Sequence, residues 1–275
     1  MAKRNDKIGQ PIHFCAWTLC LGVFFCGGSV WAEPDGPAVT DAASIKTEPN
    51  LLSLYSYKPI YFLVGSPYTK IQLSFETQIF KNIPIYFGYS QLMLWDLLTP
   101  SPFFYDLNYN PLFWYRLVTN DVNSEWLDFI PWEHESNGKG GSSEISWDRV
   151  GVLYHRTDSV GANMQLYQDY KVWVPLDYNS NSTDLARYRG LWELNLTLSG
   201  LFKPYFAFDD ITLRLYPGGP SLLDPTMGGQ ELTLRLRSSN RMFLPFVTLQ
   251  VFHGYGEYLQ DYSVDQWGLR AGLGF

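Results

Sequence analysis

His134 and Ser136 lie two residues apart in the segment Trp132-Glu133-His134-Glu135-Ser136-Asn137-Gly138. A serine hydroxyl beside an imidazole is a nucleophile with its base, and it lacks only a third group to hold the ring. After a Gly/Ser-rich stretch the chain offers that group in Ser146-Trp147-Asp148-Arg149. On a strand, residues two apart project from the same face. Asn137-Gly138 and Gly140-Gly141 supply a turn between the two segments. If the hairpin pairs residues whose numbers sum to 134 + 148, His134 faces Asp148 and Ser136 faces Ser146. Directly opposed residues have Cβ atoms about 5 Å apart. Asp148 then orients the imidazole while His134 takes the Ser136 proton, which is the arrangement of an acyl hydrolase.

The elements that must carry these groups are strands. The parity of His134 and Ser136 is shared by Trp132 and Ile130, and that of Asp148 by Val150, Val152 and Tyr154. The opposite parity holds Glu133, Glu135, Arg149 and His155. The three reactive side chains therefore belong to the apolar face, at its polar margin. The same period of two recurs along the chain: Ile71, Leu73 and Phe75 alternate with Gln72, Ser74 and Glu76. Tyr188, Trp192, Leu194, Leu196 and Leu198 oppose Arg189, Glu193, Asn195 and Thr197, and Trp267, Leu269, Ala271, Leu273 and Phe275 alternate with Gly268, Arg270, Gly272 and Gly274. A period of two is a strand signal. The pattern predicts twelve strands, near 58–65, 69–80, 84–96, 107–119, 125–136, 145–157, 161–175, 187–199, 203–216, 229–238, 242–254 and 264–275.

Alternation alone fits a soluble sandwich and a membrane barrel equally. Strand length, aromatic residues clustered at strand ends and the terminal Phe275 favour an all-β, twelve-stranded antiparallel transmembrane β-barrel, with apolar side chains toward lipid and polar ones toward the lumen. An even strand number puts both termini on the periplasmic side. A nucleophile on the outer wall implies a lipid ester as substrate, whereas a His and a Ser in a barrel ordinarily line the lumen. The rivals are a passive pore or structural barrel with a decayed site, and a secreted β-sandwich such as a carbohydrate-binding module.

The first residues read as an export signal. Lys3, Arg4 and Lys7 precede an apolar run from Phe14 to about Phe25, and Val30-Trp31-Ala32 makes a cleavage site. The run is too short to span a membrane. A lipoprotein site at Cys26 is disfavoured by bulky Phe24 and Phe25 before it. The expected division is signal peptide 1–32, periplasmic arm 33–57 and outer-membrane barrel 58–275. Cys15, Cys20 and Cys26 all fall in the signal, so the mature chain has no disulfide. Cleavage removes three basic residues (Lys3, Arg4, Lys7) and one acidic (Asp6), leaving 17 basic against 26 acidic from the full 20 and 27. That balance, −9, argues against nucleic acid as a partner.

The string His134-x-Ser136-Asn137-Gly138 followed by Ser146-Trp147-x-Arg149 resembles the outer-membrane phospholipase A family. Supporting matches are Asn108-Tyr109-x-Pro111, Tyr255-Gly256-Glu257 with Asp261-Tyr262, and Lys58-Pro59-x-Tyr61. The resemblance implies calcium-dependent hydrolysis of acyl esters at both glycerol positions of membrane phospholipids, and an active homodimer. It puts the nucleophile on Ser136 and the base on His134. The family's third member is usually Asn, and Asp148 takes its place here. It further implies calcium ligands at Glu144, at the Lys139 backbone carbonyl, and at a backbone carbonyl near Pro100 or Ser101 of a second protomer. Of the remaining histidines, His13 falls in the signal, His253 has no evident partner and His155, with lumen parity, reads as structural. Asn181-Ser182-Thr183 reads as an ordinary loop.

Overall fold

The computed structural model describes residues 54–120, 124–238 and 245–275; the expected signal peptide 1–32 and residues 33–53 of the expected arm lie outside them. Among the described residues twelve strands run β1 (Tyr61–Ser66), β2 (Thr69–Phe80), β3 (Ile83–Asp96), β4 (Phe103–Asn120), β5 (Glu125–Ser136), β6 (Ser146–Val160), β7 (Met164–Tyr178), β8 (Trp192–Ser199), β9 (Phe208–Gly218), β10 (Asp224–Arg237), β11 (Phe246–Gly254) and β12 (Gln266–Gly274). Each pairs antiparallel with its sequence neighbours, and β1 closes on β12 with Tyr61 opposite Gly274. The result is the closed twelve-stranded barrel expected from alternation together with strand length and the aromatic strand ends, and closure leaves no strand edge unpaired. The hairpins at Lys81–Asn82 and the start of β1 share one end, called here the terminal end; the β5–β6 turn lies at the other, the far end.

Apolar side chains on the outward parity stand free of the fold: Val172, Val174 and Leu176 on β7, and Trp267, Leu269 and Leu273 on β12, are all exposed. Left in water, such a band is unfavourable at about 25 cal/mol per Å²; hydrocarbon is the solvent that suits it. No helix among the described residues is long and apolar enough to cross a membrane.

The inner parity is charged and paired. Lys70 Nζ contacts Glu231 (2.6 Å), Gln250 (2.9 Å) and Glu257 (3.0 Å), and Arg270 grips Glu257 with two bonds. Arg235 binds Asp210, Arg116 binds Asp128, and Arg214 binds Glu193. Burial by itself would raise the Glu257 carboxyl, but Lys70 and Arg270 beside it hold it below the usual carboxylate range. Removing one partner of such a pair leaves a buried charge uncompensated, at a cost of about 3–5 kcal/mol. A cavity of about 580 Å³ remains within this network. Residues on either side of the expected arm–barrel boundary enter the terminal mouth: Tyr55 bridges Glu76 through two backbone bonds, Tyr57 stacks on Trp114 at 5.4 Å, and Lys58 reaches Asn110.

Among the expectations that fail, two have clear local reasons, while His253, expected without a partner, stacks on Trp267 and lies 3.6 Å from Asp265. Ile130 is not on the face of Trp132: it is buried inside the barrel with Leu112 and Trp114. Between Ile130 and Glu133 the β5–β6 register shifts, so that Pro131 and Trp132 together span what one residue spans on β6. This bulge inverts the parity below it. The second case is 187–191, expected as the start of a strand. Ala186–Arg189 instead forms one helical turn, α1, ended by Gly190 at φ +60, and β8 begins only at Trp192.

Candidate active site

Above the bulge, β5 and β6 pair His134 with Asp148 and Ser136 with Ser146, the register that the motif spacing predicts. His134 Nδ1 lies 3.0 Å from Asp148 Oδ1. The two side chains are 29% and 32% exposed, on the outward face and near the far end. With Nδ1–H donating to the carboxylate, Nε2 is left as the acceptor, the tautomer a general base needs. The Trp132 ring stacks on the imidazole at 6.0 Å and 12°, and Phe113 packs behind Trp132 at 5.9 Å. Ser136 projects from the same face two residues on, and its hydroxyl makes no hydrogen bond among the described residues. His134 and Asp148 are therefore joined, while Ser136 stands near them and free.

The strand carrying these groups is held from behind. Glu133 and Glu135, which flank His134 and point inward, are buried and bonded to Arg149 at 2.9 and 3.1 Å. Lys171 completes Glu133, and the Trp147 indole N–H donates to Glu135 at 3.0 Å. On the other side Asn110 donates to the His134 carbonyl at 2.8 Å and to Glu133 at 3.2 Å. Alternation thus serves the site twice: even-numbered residues face outward, odd-numbered ones rivet the strand to the lumen.

The turn is built around Asn137. Its side chain is buried, donating to the Ser143 carbonyl at 2.9 Å and accepting from the Lys139 and Ile145 amides at 3.2 and 3.1 Å. Gly138 follows at φ +63, with the Tyr109 ring so close that an added Cβ would sit 2.4 Å from it. The 3-10 turn Gly141–Ser143 leads to Glu144. Asn181 clamps this turn by donating to the Gly141 and Glu144 carbonyls at 3.0 and 3.1 Å, and buried Ser182 donates to the Ser146 carbonyl. Asn110, Asn137 and Asn181 were not singled out as part of the site from the sequence. Asn137 carried a signal, since an Asn-Gly pair marks a turn; the other two come from distant strands and loops and carried none.

The expected metal ligands lie on this turn. Glu144 Oε1 is 3.5 Å from the Ser146 hydroxyl, and Ser146 is the residue directly across from Ser136. A carboxylate, hydroxyls and backbone carbonyls are hard oxygen donors, which suit calcium. No group of three or more His, Cys, Asp or Glu side chains stands together among the described residues, so carbonyl oxygens would have to complete any such site. Ser101 is exposed in the β3–β4 loop, at the same end of the barrel.

Residues 65–275 match the family model described as phospholipase A1. Phospholipase A1 of Escherichia coli K12 is 28% identical over 193 residues, covering 68% of this chain and 60% of that protein. The matching region thus spans less than two thirds of the curated relative. Among solved structures, the outer membrane phospholipase A of Escherichia coli superposes with a TM-score of 0.66 at 20% identity, covering 81% of this chain and 98% of the other. The Salmonella typhi outer membrane phospholipase, solved as a dimer with bound calcium, gives 0.65 at 19%, covering 82% and 93%.

Proposed function

The chain belongs to the phospholipase A1 family, and from that premise we propose that it is a carboxylic ester hydrolase of the outer membrane, cleaving sn-1 and sn-2 acyl esters of glycerophospholipids and lysophospholipids. The observation that carries the reading is the His134–Asp148 pair, 3.0 Å apart on the outer wall beside the free Ser136 hydroxyl. A lipid lying against that wall presents its ester at the polar margin where these groups stand. His134 Nε2 takes the Ser136 proton as Oγ attacks the ester carbonyl, then returns it to the departing glycerol oxygen; water releases the acyl group by the same route. Asp148 holds the ring and balances the imidazolium charge.

Calcium, present in the Salmonella typhi relative, suits the oxygen set on the turn. Glu144 and the Lys139 carbonyl would hold it, joined by the Ser101 carbonyl of a second protomer. When bound it supplies positive charge that stabilises the ester's developing oxyanion. That shared ligand makes an active homodimer the natural assembly. Both termini would face the periplasm, and the far end, with the site, the cell exterior.

The deciding experiment uses purified protein in detergent with a phospholipid substrate, with calcium, with chelator, and as Ser136→Ala. Fatty acid release that needs calcium and disappears in the variant is expected. Release by Ser136→Ala at the wild-type rate removes the nucleophile, and release indifferent to chelation removes the metal.

A further inference from the structure

A second hydroxyl–imidazole–carboxylate set lies inside the barrel. His155 Nδ1 is hydrogen-bonded to Asp169 at 2.5 Å, and His155 Nε2 to the Thr157 hydroxyl at 3.1 Å. The layout repeats the outer one step around the wall. His134 and Ser136 are two apart on β5 with Asp148 opposite the histidine on β6. His155 and Thr157 are two apart on β6 with Asp169 opposite the histidine on β7. Odd parity turns this second set inward. His155 and Asp169 line the 580 Å³ cavity.

Three features separate the set from a histidine that only fills space. Both ring nitrogens are engaged: with Nδ1–H donating to the carboxylate, a neutral ring accepts from the Thr157 hydroxyl at Nε2. The ring is clamped by Trp126, stacked at 3.5 Å and 11°. Asp169 is 38% exposed and Thr157 half-buried, while His155 is 10% exposed, so water reaches the carboxylate and part of the threonine while the ring between them is shielded. Arg116 places a fixed positive charge 4.9 Å from the same indole.

We propose that Thr157, His155 and Asp169 form a second hydrolytic site, acting on short-chain, water-soluble esters that enter the lumen. Thr157 Oγ attacks the ester carbonyl as its proton passes to His155 Nε2. The C–O bond to the alcohol breaks, and that alcohol leaves with the proton. Water, deprotonated by the same nitrogen, then attacks the acyl-threonine, releasing the acid and restoring the hydroxyl. Asp169 is the positioning residue. No oxidant, metal or co-reactant beyond water is needed. Long acyl chains fit poorly because ion-paired side chains such as Lys70, Glu133, Glu231 and Arg214 line the cavity.

The test uses the full barrel carrying Ser136→Ala, so that the outer nucleophile is silent and its assignment is not at stake. p-Nitrophenyl acetate hydrolysis is measured above buffer, and the protein is incubated with diisopropyl fluorophosphate and mapped by peptide mass spectrometry. Residual turnover is expected to fall at least about 100-fold when Thr157→Val or His155→Ala is added, the usual scale of general-base catalysis. Thr157→Ser should retain it, and the adduct should fall on the peptide containing Thr157. No turnover above buffer in Ser136→Ala, turnover unchanged by Thr157→Val, or an adduct anywhere but Thr157 overturns the proposal. The adduct is read on a barrel with Thr157 intact, so a variant that fails to fold does not spoil the test.

Discussion

The outer and inner histidine sites share one strand and differ in how finished they are. Inside, every bond of the set is made: acid to ring, ring to hydroxyl. Outside, acid and ring are joined while Ser136 makes no bond among the described residues. The inner set sits mid-strand, bracketed by ladder pairs on both sides. The outer one stands at the last pairs of its hairpin, where geometry depends on the turn beyond. A pleated pair delivers two side chains of one face and a third across the ladder at no extra cost, so the layout recurs wherever the residue types allow. What differs is closure. A site completed by its own fold is ready at all times. A site left open at the outer face fits the proposed function, in which a lipid, a metal and a second protomer would complete it.

The largest break in this comparison comes from the outer base. His134→Ala should lower phospholipid turnover by about 10³-fold or more, with the barrel still resisting SDS at room temperature. Turnover close to wild type would make the exposed pair ornamental. Next is the proposed metal, which the mechanism proposed for the inner site does not call on. Glu144→Ala should raise the calcium concentration for half-maximal release by on the order of tenfold or more, restored by excess calcium; an unmoved calcium curve would take Glu144 out of the site. Smaller again is Asp148→Asn. The amide oxygen can still accept Nδ1–H but cannot balance the imidazolium. Turnover within about tenfold of wild type is expected, and Asp148→Ala should cost more, about 100-fold, by freeing the ring.

The layout of the outer site was legible in the sequence because three signals agreed. Spacing set the face, an Asn-Gly turn set the hairpin, and alternation set the strands; the predicted limits 69–80 and 125–136 are those of β2 and β5. Legibility stopped where the ladder is irregular. The pairing sum that places His134 against Asp148 changes by one below the bulge, where Ile130 meets Gly151, and Ile130 turns inward. Pro131 was the available sign, since a proline cannot donate to a ladder and gathers at bulges. α1 was missed because Tyr188 and Arg189 happen to extend the alternation of β8, although Gly190 is a helix-ending residue. The inner set was visible as parity but not as chemistry. His155 and Thr157 advertise themselves no more than any lumen pair until β7 brings Asp169 across.

The mildest test separates the two sites by their supports. Gly138 adopts φ +63, and a Cβ there would lie 2.4 Å from the Tyr109 ring, whose strand pairs with Ser136. Gly138→Ala therefore adds left-handed strain, about 1–2 kcal/mol, and pushes on the ring of the residue paired with Ser136. Asn137 resists the push through its three bonds, so the turn should distort rather than unfold. Phospholipid turnover should fall several-fold and the unfolding midpoint should drop slightly. The residual ester hydrolysis assigned to Thr157 should not move, because β6 and β7 hold His155 and Asp169 well away from this turn. Equal losses at both sites would mean that the barrel relaxes as one body, and that the outer site has no separate dependence on its turn.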